Sequence, residues 1–199
     1  MRPGPPRLRP RTRVGGDGSP EVFCADEQGV IEIDLERWQT LARRVLEAEG
    51  VRGGTELSVF FVSSADIAEL NTEHMGVRGP TDVLSFPIDG GAVVEVDNGG
   101  GSRGPDRPEP DRSDLPVLLG DVVICPQVAQ EQAPTHAGTL DDELALLVVH
   151  GVLHVLGWDH RTDQEKIDMW QRQRDLLIAH HWNGPAPDSY RPDMEDHLE

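Results

Sequence analysis

From Leu144 to Leu156 the chain reads Leu-Ala-Leu-Leu-Val-Val-His-Gly-Val-Leu-His-Val-Leu, apolar on nearly every side of a helix except at two histidines. A helix apolar all round belongs in the middle of a domain, so the rest of the chain must be arranged around it. Thr139-Leu140-Asp141-Asp142 has the form of a capping box and predicts its start. Polar imidazoles inside such a helix need partners, because unpaired buried polar groups cost free energy. His150 and His154 lie four residues apart, one turn up on nearly the same face, and can point at a single ion. Gly157 gives the backbone freedom to leave the helix and turn back, which brings His160 in as a third ligand. Three neutral nitrogen donors with a fourth position open form the pattern of a catalytic zinc site, one Zn2+ per chain. Accidental spacing is the bland alternative. Three of the eight histidines sharing this register, with glycine at the hinge, weigh against it.

The same spacing occurs in the metzincin proteases, His-Glu-x-x-His-x-x-Gly-x-x-His. Their glutamate acts as general base. Position 151 here is glycine. A protease reading therefore loses its proton acceptor.

At 199 residues the chain has room for one domain with a proper core. Its formal charge of −18 is far from the basic balance of a simple RNA binder. Residues 1–18 hold five arginines against Asp17, so a basic tail precedes an acidic remainder. That tail is expected to be disordered up to residue 20, either as an RNA-touching arm or as an extension from an upstream start codon. Cys24 and Cys125 form no CxxC pair and sit in apolar, strand-like surroundings, which reads as buried free thiols in a reducing cytoplasm. No apolar run reaches membrane-spanning length, and the N-terminus lacks the apolar region of a secretory signal.

Strands are expected near Val22–Ala25 and, from the alternation of Leu57, Val59 and Phe61, over about seven residues there. Asp34 caps a helix with Trp38, Leu41, Ala42, Val45 and Leu46 at the 3.6 period, stopped at Gly50. Ser63 or Ser64 caps a second helix with Ile67 and Leu70. Two prolines bracket a short apolar strand in Gly79-Pro80-Thr81-Asp82-Val83-Leu84-Ser85-Phe86-Pro87, and prolines suit an edge strand. Residues 89–116 hold six glycines, four prolines and seven acids against three arginines, an acidic insertion rather than a second domain. Val117–Cys125 reads as a buried strand with a bulge or close approach at Gly120-Asp121. Pro126 opens the next helix. Thr162-Asp163-Gln164-Glu165 is a second capping box, before a helix carrying Ile167, Trp170 and Leu177. Residues 183–199 are expected to be a disordered acidic tail.

With glycine at 151, His150-Gly151-Val152-Leu153-His154 through His160 resembles the signature of the YbeY family of bacterial endoribonucleases and rRNA maturation factors. Pro80-Thr81-Asp82-Val83-Leu84-Ser85-Phe86-Pro87 resembles a second element of that family nearly word for word, and Leu119-Gly120-Asp121-Val122-Val123-Ile124-Cys125 a third. Together they cover roughly residues 21–182 apart from the insertion. Many members have a Tyr-Arg pair after the Leu-Asn that corresponds to Leu70-Asn71. This chain has His74 and Met75 there, with Arg78 three residues further on as the nearest cation.

The resemblance implies a single α/β domain of the α+β type, a small mixed sheet with helices packed around the central metal-bearing helix. It implies a zinc-dependent, single-strand-specific endoribonuclease acting in 16S rRNA 3′-end maturation and ribosome quality control. The expected partners are the 16S precursor, the small ribosomal subunit with its proteins and an Era-type GTPase, with no DNA and no membrane. The expected metal ligands are His150, His154 and His160. Asp159 is the candidate to orient a histidine or accept a proton, and Arg78 the candidate cation. Asp121 is read as structural, with a role behind the metal ligands as the alternative. The rival function is a ribosome-assembly factor whose metal is mainly structural, which the acidic charge and Met75 favour.

Overall fold

The structure, a computed structural model, describes residues 19–88 and 116–190. The expectations for residues 1–18, for 89–115 of the insertion and for 191–199 lie outside the described residues.

Among the described residues, four strands form one mixed sheet in the order β1-β2-β4-β3. These are β1 (Glu21–Asp26), β2 (Thr55–Phe61), β3 (Val83–Pro87) and β4 (Val117–Ile124). The first three in spatial order run parallel and β3 closes the edge antiparallel, pairing Val83 with Ile124 and Pro87 with Gly120. An edge position is where flanking prolines are tolerated, because no ladder bond is lost on the open side. The close approach expected in β4 is present at Gly120, whose φ is 149° and where a Cβ would collide with the Phe86 carbonyl oxygen. The pairing of β2 with β4 skips Leu119 at that point.

Parallel neighbours need a crossover, and α1 (Leu35–Ala48) supplies it between β1 and β2. Asp34 accepts from the Arg37 N–H at its N-terminus, and Trp38, Leu41, Ala42, Val45 and Leu46 are its buried face. After β2 come α2 (Ser64–Leu70), capped by Ser63, and a π-turn over Asn71–Met75. α3 (Pro126–Gln132), α4 (Leu140–Val155) and α5 (Asp163–Leu177) follow β4. α4 packs against α1, α3, α5, β3 and β4, so it is the axis of the domain as its composition demands. Thr139 caps it and Thr162 closes a full capping box on α5.

The two faces of the sheet are unequal. Leu57, Val59, Phe61, Val122 and Ile124 join the main core with α1, α4 and α5. Leu84, Val123, Cys125, Val62 and Ile67 form a smaller cluster on the other side, with Phe60 and Phe86 at its border. Strand alternation puts Asp121 on the side of Val123, away from α4. That corrects the idea that Asp121 stands behind the metal ligands.

One further expectation is corrected. Residues 183–190, expected as part of a tail, pack on the domain: Tyr190 is buried in the main core, and Ser189 Oγ donates to the Ala137 carbonyl at 3.2 Å. An acidic, proline-rich composition hid one aromatic anchor. On α5 the buried stripe is Met169, Gln173, Leu176 and Leu177, whereas Ile167 is exposed.

Candidate metal centre

The last turns of α4 carry His150 and His154, and Gly157 ends the helix with φ 87°. Its N–H bonds the His154 carbonyl at 2.9 Å while the Trp158 N–H bonds that of Leu153 at 3.0 Å, so the chain reverses sharply. Trp158 then anchors the returning loop, because its indole N–H donates to Glu49 at the end of α1 over 3.1 Å. Glu49 also holds Arg172 of α5. This pinning delivers His160 to the other two: the ring centroids of His160 lie 5.7 Å from His150 and 4.9 Å from His154. One donor atom from each of the three lies within 4.8 Å of the others.

The protonation pattern follows from the partners. The Trp158 carbonyl can only accept, so His154 Nδ1 donates to it, at 3.0 Å. His150 Nδ1 donates to Gln173 Oε1, also at 3.0 Å. Both neutral rings then turn an unprotonated Nε2 inward, and these two atoms are 3.0 Å apart. Two lone pairs at that distance repel each other, and a cation that accepts both removes the conflict. A tetrahedral zinc ion with Zn–N bonds near 2.0–2.1 Å sets its nitrogens roughly 3.3 Å apart. The residues present therefore fit the group. Burial pushes His150 down to about 3, helped by the charge of His154 and opposed by the Gln173 bond. His154 is also lowered, chiefly by burial and then by His160. Neutral imidazole is the form that ligates metal.

Gly151 has a different task from the one the protease pattern assigns to its position. A Cβ there would overlap Val122 Cγ1 and come within 3.3 Å of Ser85 Oγ. Position 151 thus faces β4 and β3, away from the inward edges of the histidines. Glycine lets α4 lie close on the sheet, and the Ser85 hydroxyl donates to the Gly151 carbonyl at 3.3 Å. This bond joins the Pro80–Pro87 motif to the histidine helix.

The two candidates for chemistry beyond the ligands sit as follows. Asp159 Oδ1 accepts from the His160 N–H at 2.8 Å and its Oδ2 pairs with Arg161 at 2.7 Å, so its carboxylate clasps the loop at the third ligand. Arg78 is exposed, between Gly76 and Gly79, both at positive φ; Asn71 Nδ2 ties that segment down at the Gly79 carbonyl over 2.9 Å. Met75 is exposed, and His74 packs edge-on against Phe86. Sequence reasoning missed Gln173, Trp158 and Glu49. Gln173 left one trace, a polar residue at the centre of a stripe whose other members are apolar.

The model of one protein family, described as Endoribonuclease YbeY, matches residues 23–181 of this chain. An Endoribonuclease YbeY of Frankia casuarinae is 42% identical over 163 residues, 82% of this chain and 75% of that protein. One of Salinispora tropica is 44% identical over 158 residues, 79% of this chain and 94% of the other. The solution structure of TM1509 from Thermotoga maritima covers 79% of this chain and 87% of its own, at 24% identity and a TM-score of 0.48.

Proposed function

The chain belongs to the YbeY endoribonuclease family, and from that premise we propose that it is a zinc-dependent endoribonuclease for single-stranded RNA, acting in 16S rRNA 3′-end maturation and ribosome quality control. The observation that carries the reading is the inward convergence of His150, His154 and His160, with both helix histidines held by their Nδ1 atoms. Three ligands leave a coordination position open for water or substrate, as in catalytic sites. One zinc ion per chain, when bound, supplies Lewis acidity towards a phosphoryl oxygen and an acidified water.

The protein's own residues hold and orient. Trp158 and Gln173 aim the two helix imidazoles, and the Asp159 clasp sets the loop that bears His160. Asp159 is the candidate proton acceptor, after leaving Arg161. Gly151 offers no base, and a glutamate in its place would enter the sheet. A chain of net charge −18 repels RNA at long range, so the approach of phosphate needs local positive charge. Arg78 and Arg161 are the candidates for it. The small ribosomal subunit and its proteins are the proposed setting, with an Era-type GTPase as a further partner.

One observation favours a second reading, an assembly factor whose metal is mainly structural. Met75 stands exposed at the position where the family resemblance implies an arginine. Purified protein incubated with 3′-extended 16S precursor, with and without zinc, separates the two beside a His154→Ala control. Zinc-restored cleavage that His154→Ala abolishes supports the nuclease. Equal cleavage by the variant removes the site from the reaction. Binding of precursor without any cleavage supports the assembly factor.

A further inference from the structure

Gln173 lies on α5 with no exposed surface, between Met169 and Leu176 in the stripe that meets α4. A buried amide is costly unless its dipoles are met. Here both ends are engaged. Oε1 accepts from His150 Nδ1 at 3.0 Å, and Nε2 donates to the Tyr190 hydroxyl oxygen at 3.3 Å. Tyr190 is itself buried, its ring edge-on to Trp182 with centroids 5.1 Å apart and its N–H on the Pro187 carbonyl. A path of contacts therefore runs from the end of the described chain through α5 into the histidine cluster.

The two helix histidines are held in different ways. His154 bonds a backbone carbonyl, which accepts and nothing else, so its tautomer is settled by the loop. His150 bonds a primary amide, which offers an acceptor at one end and a donor at the other. With Oε1 towards the ring, Nδ1 keeps the proton and Nε2 keeps its lone pair for a ligand bond. With the amide turned over, the ring must carry its proton on Nε2, where no metal can bind.

We propose that Gln173 is a positioning residue for metal: it holds His150 in the Nδ1–H tautomer with Nε2 aimed inward, and Tyr190 holds the amide of Gln173 in place. This rests on the metal-centre reading of the three histidines. Partners of this kind, which fix ring orientation from behind, typically change metal affinity by 10–100-fold when lost. A carboxylate at the same place accepts from Nδ1 and cannot turn over, so it serves the tautomer at least as well.

The test is a competition of full-length protein against a zinc chelator, together with imidazole nitrogen NMR of the metal-free protein. Gln173→Met keeps the volume and removes the acceptor; it should lower zinc affinity by about 10–100-fold. It should also let His150 populate both tautomers. Gln173→Glu should restore affinity to at least the wild-type level. Tyr190→Phe should give a smaller loss, about a few-fold on the same scale. Leu176→Ala, which removes buried packing on α5 and leaves the Gln173 amide in place, should lower the melting temperature and leave affinity and tautomer alone. Zinc affinity of Gln173→Met within twofold of wild type, with His150 unchanged, would overturn the proposal. If that variant does not fold, a loss of zinc affinity of about tenfold or more in Gln173→Glu, or a mixed His150 tautomer in it, overturns the proposal instead. Failure of the metal reading looks different, because wild type then binds no zinc. The nitrogen spectra still decide the case: His150 held as Nδ1–H supports the positioning role, and a mixed tautomer refutes it.

Discussion

The two ends of α4 bury polar side chains in the same apolar helix, yet to opposite effect. Near the N-terminus Glu143 is wholly buried, and the fold answers it completely: His136 Nδ1 donates at 3.1 Å and the Ala137 N–H at 3.2 Å. Near the C-terminus the fold answers only one edge of each histidine. The Nδ1 atoms are bonded to Gln173 and Trp158, while the Nε2 atoms face each other. Burial of polar groups is thus no mark of function by itself. What separates scaffold from site is whether the inner edge has a partner that the chain supplies.

Asp82 stands between the two cases. Its Oδ1 accepts from Thr81 and from the Val83 N–H, but its Oδ2 has no partner among the described residues. Burial raises its pKa above the usual carboxylate range, with the charge of Glu143 adding to the effect.

The largest expected effect breaks the C-terminal half of the comparison. Replacing His150, His154 and His160 together by alanine should abolish zinc binding, read by elemental analysis of the purified protein. Full occupancy in that variant would put the metal elsewhere. Next comes Glu143→Ala, which removes the carboxylate that His136 Nδ1 and the Ala137 N–H both contact. Leaving a buried donor without its acceptor costs about 1–3 kcal/mol, so the denaturant midpoint should fall clearly. The zinc content of the folded fraction should stay as in wild type; its loss would show that the two ends of α4 are one unit.

Chelation gives a graded effect. A metal that binds only the folded state adds about 2.7 kcal/mol at a hundredfold excess over its Kd. Melting curves that coincide with and without chelator, after verified metal removal, would uncouple the C-terminal end from folding. Asp82→Asn should have the smallest effect. The folded-state pKa of Asp82 is raised, so its favourable protonated form is fully present below the unfolded value of about 3.9. That contribution is lost as pH rises through the folded value. Asparagine keeps the Oδ1 acceptor and removes the loss, so stability against pH should be flatter than in wild type above pH 4 or so. Denaturant midpoints at acid and neutral pH that shift in parallel for both proteins would contradict this.

Much of the molecule was legible before any tertiary contact was known. The all-round apolar run located the central helix, Asp34, Ser63, Thr139 and Thr162 announced their caps, and Pro80 and Pro87 marked an edge strand. The acidic, proline-rich composition after residue 183 misled, because Tyr190 is one aromatic residue among polar neighbours and its pocket is built by α5.

What the sequence determined alone is the set of three histidines and the hinge between them. Helix pitch places residues 150 and 154 on one face whatever surrounds them, and a glycine in the left-handed region at 157 turns the chain back within a few residues. Only the tertiary structure decided which nitrogen of each ring faces inward. Gln173 is 23 residues from His150 in the chain, and Glu49 is 109 from the Trp158 it anchors. Periodicity describes how a segment repeats along itself. The proton on an imidazole is set by whichever distant segment packs against its other edge, and that is settled when the helices and the sheet close on one another.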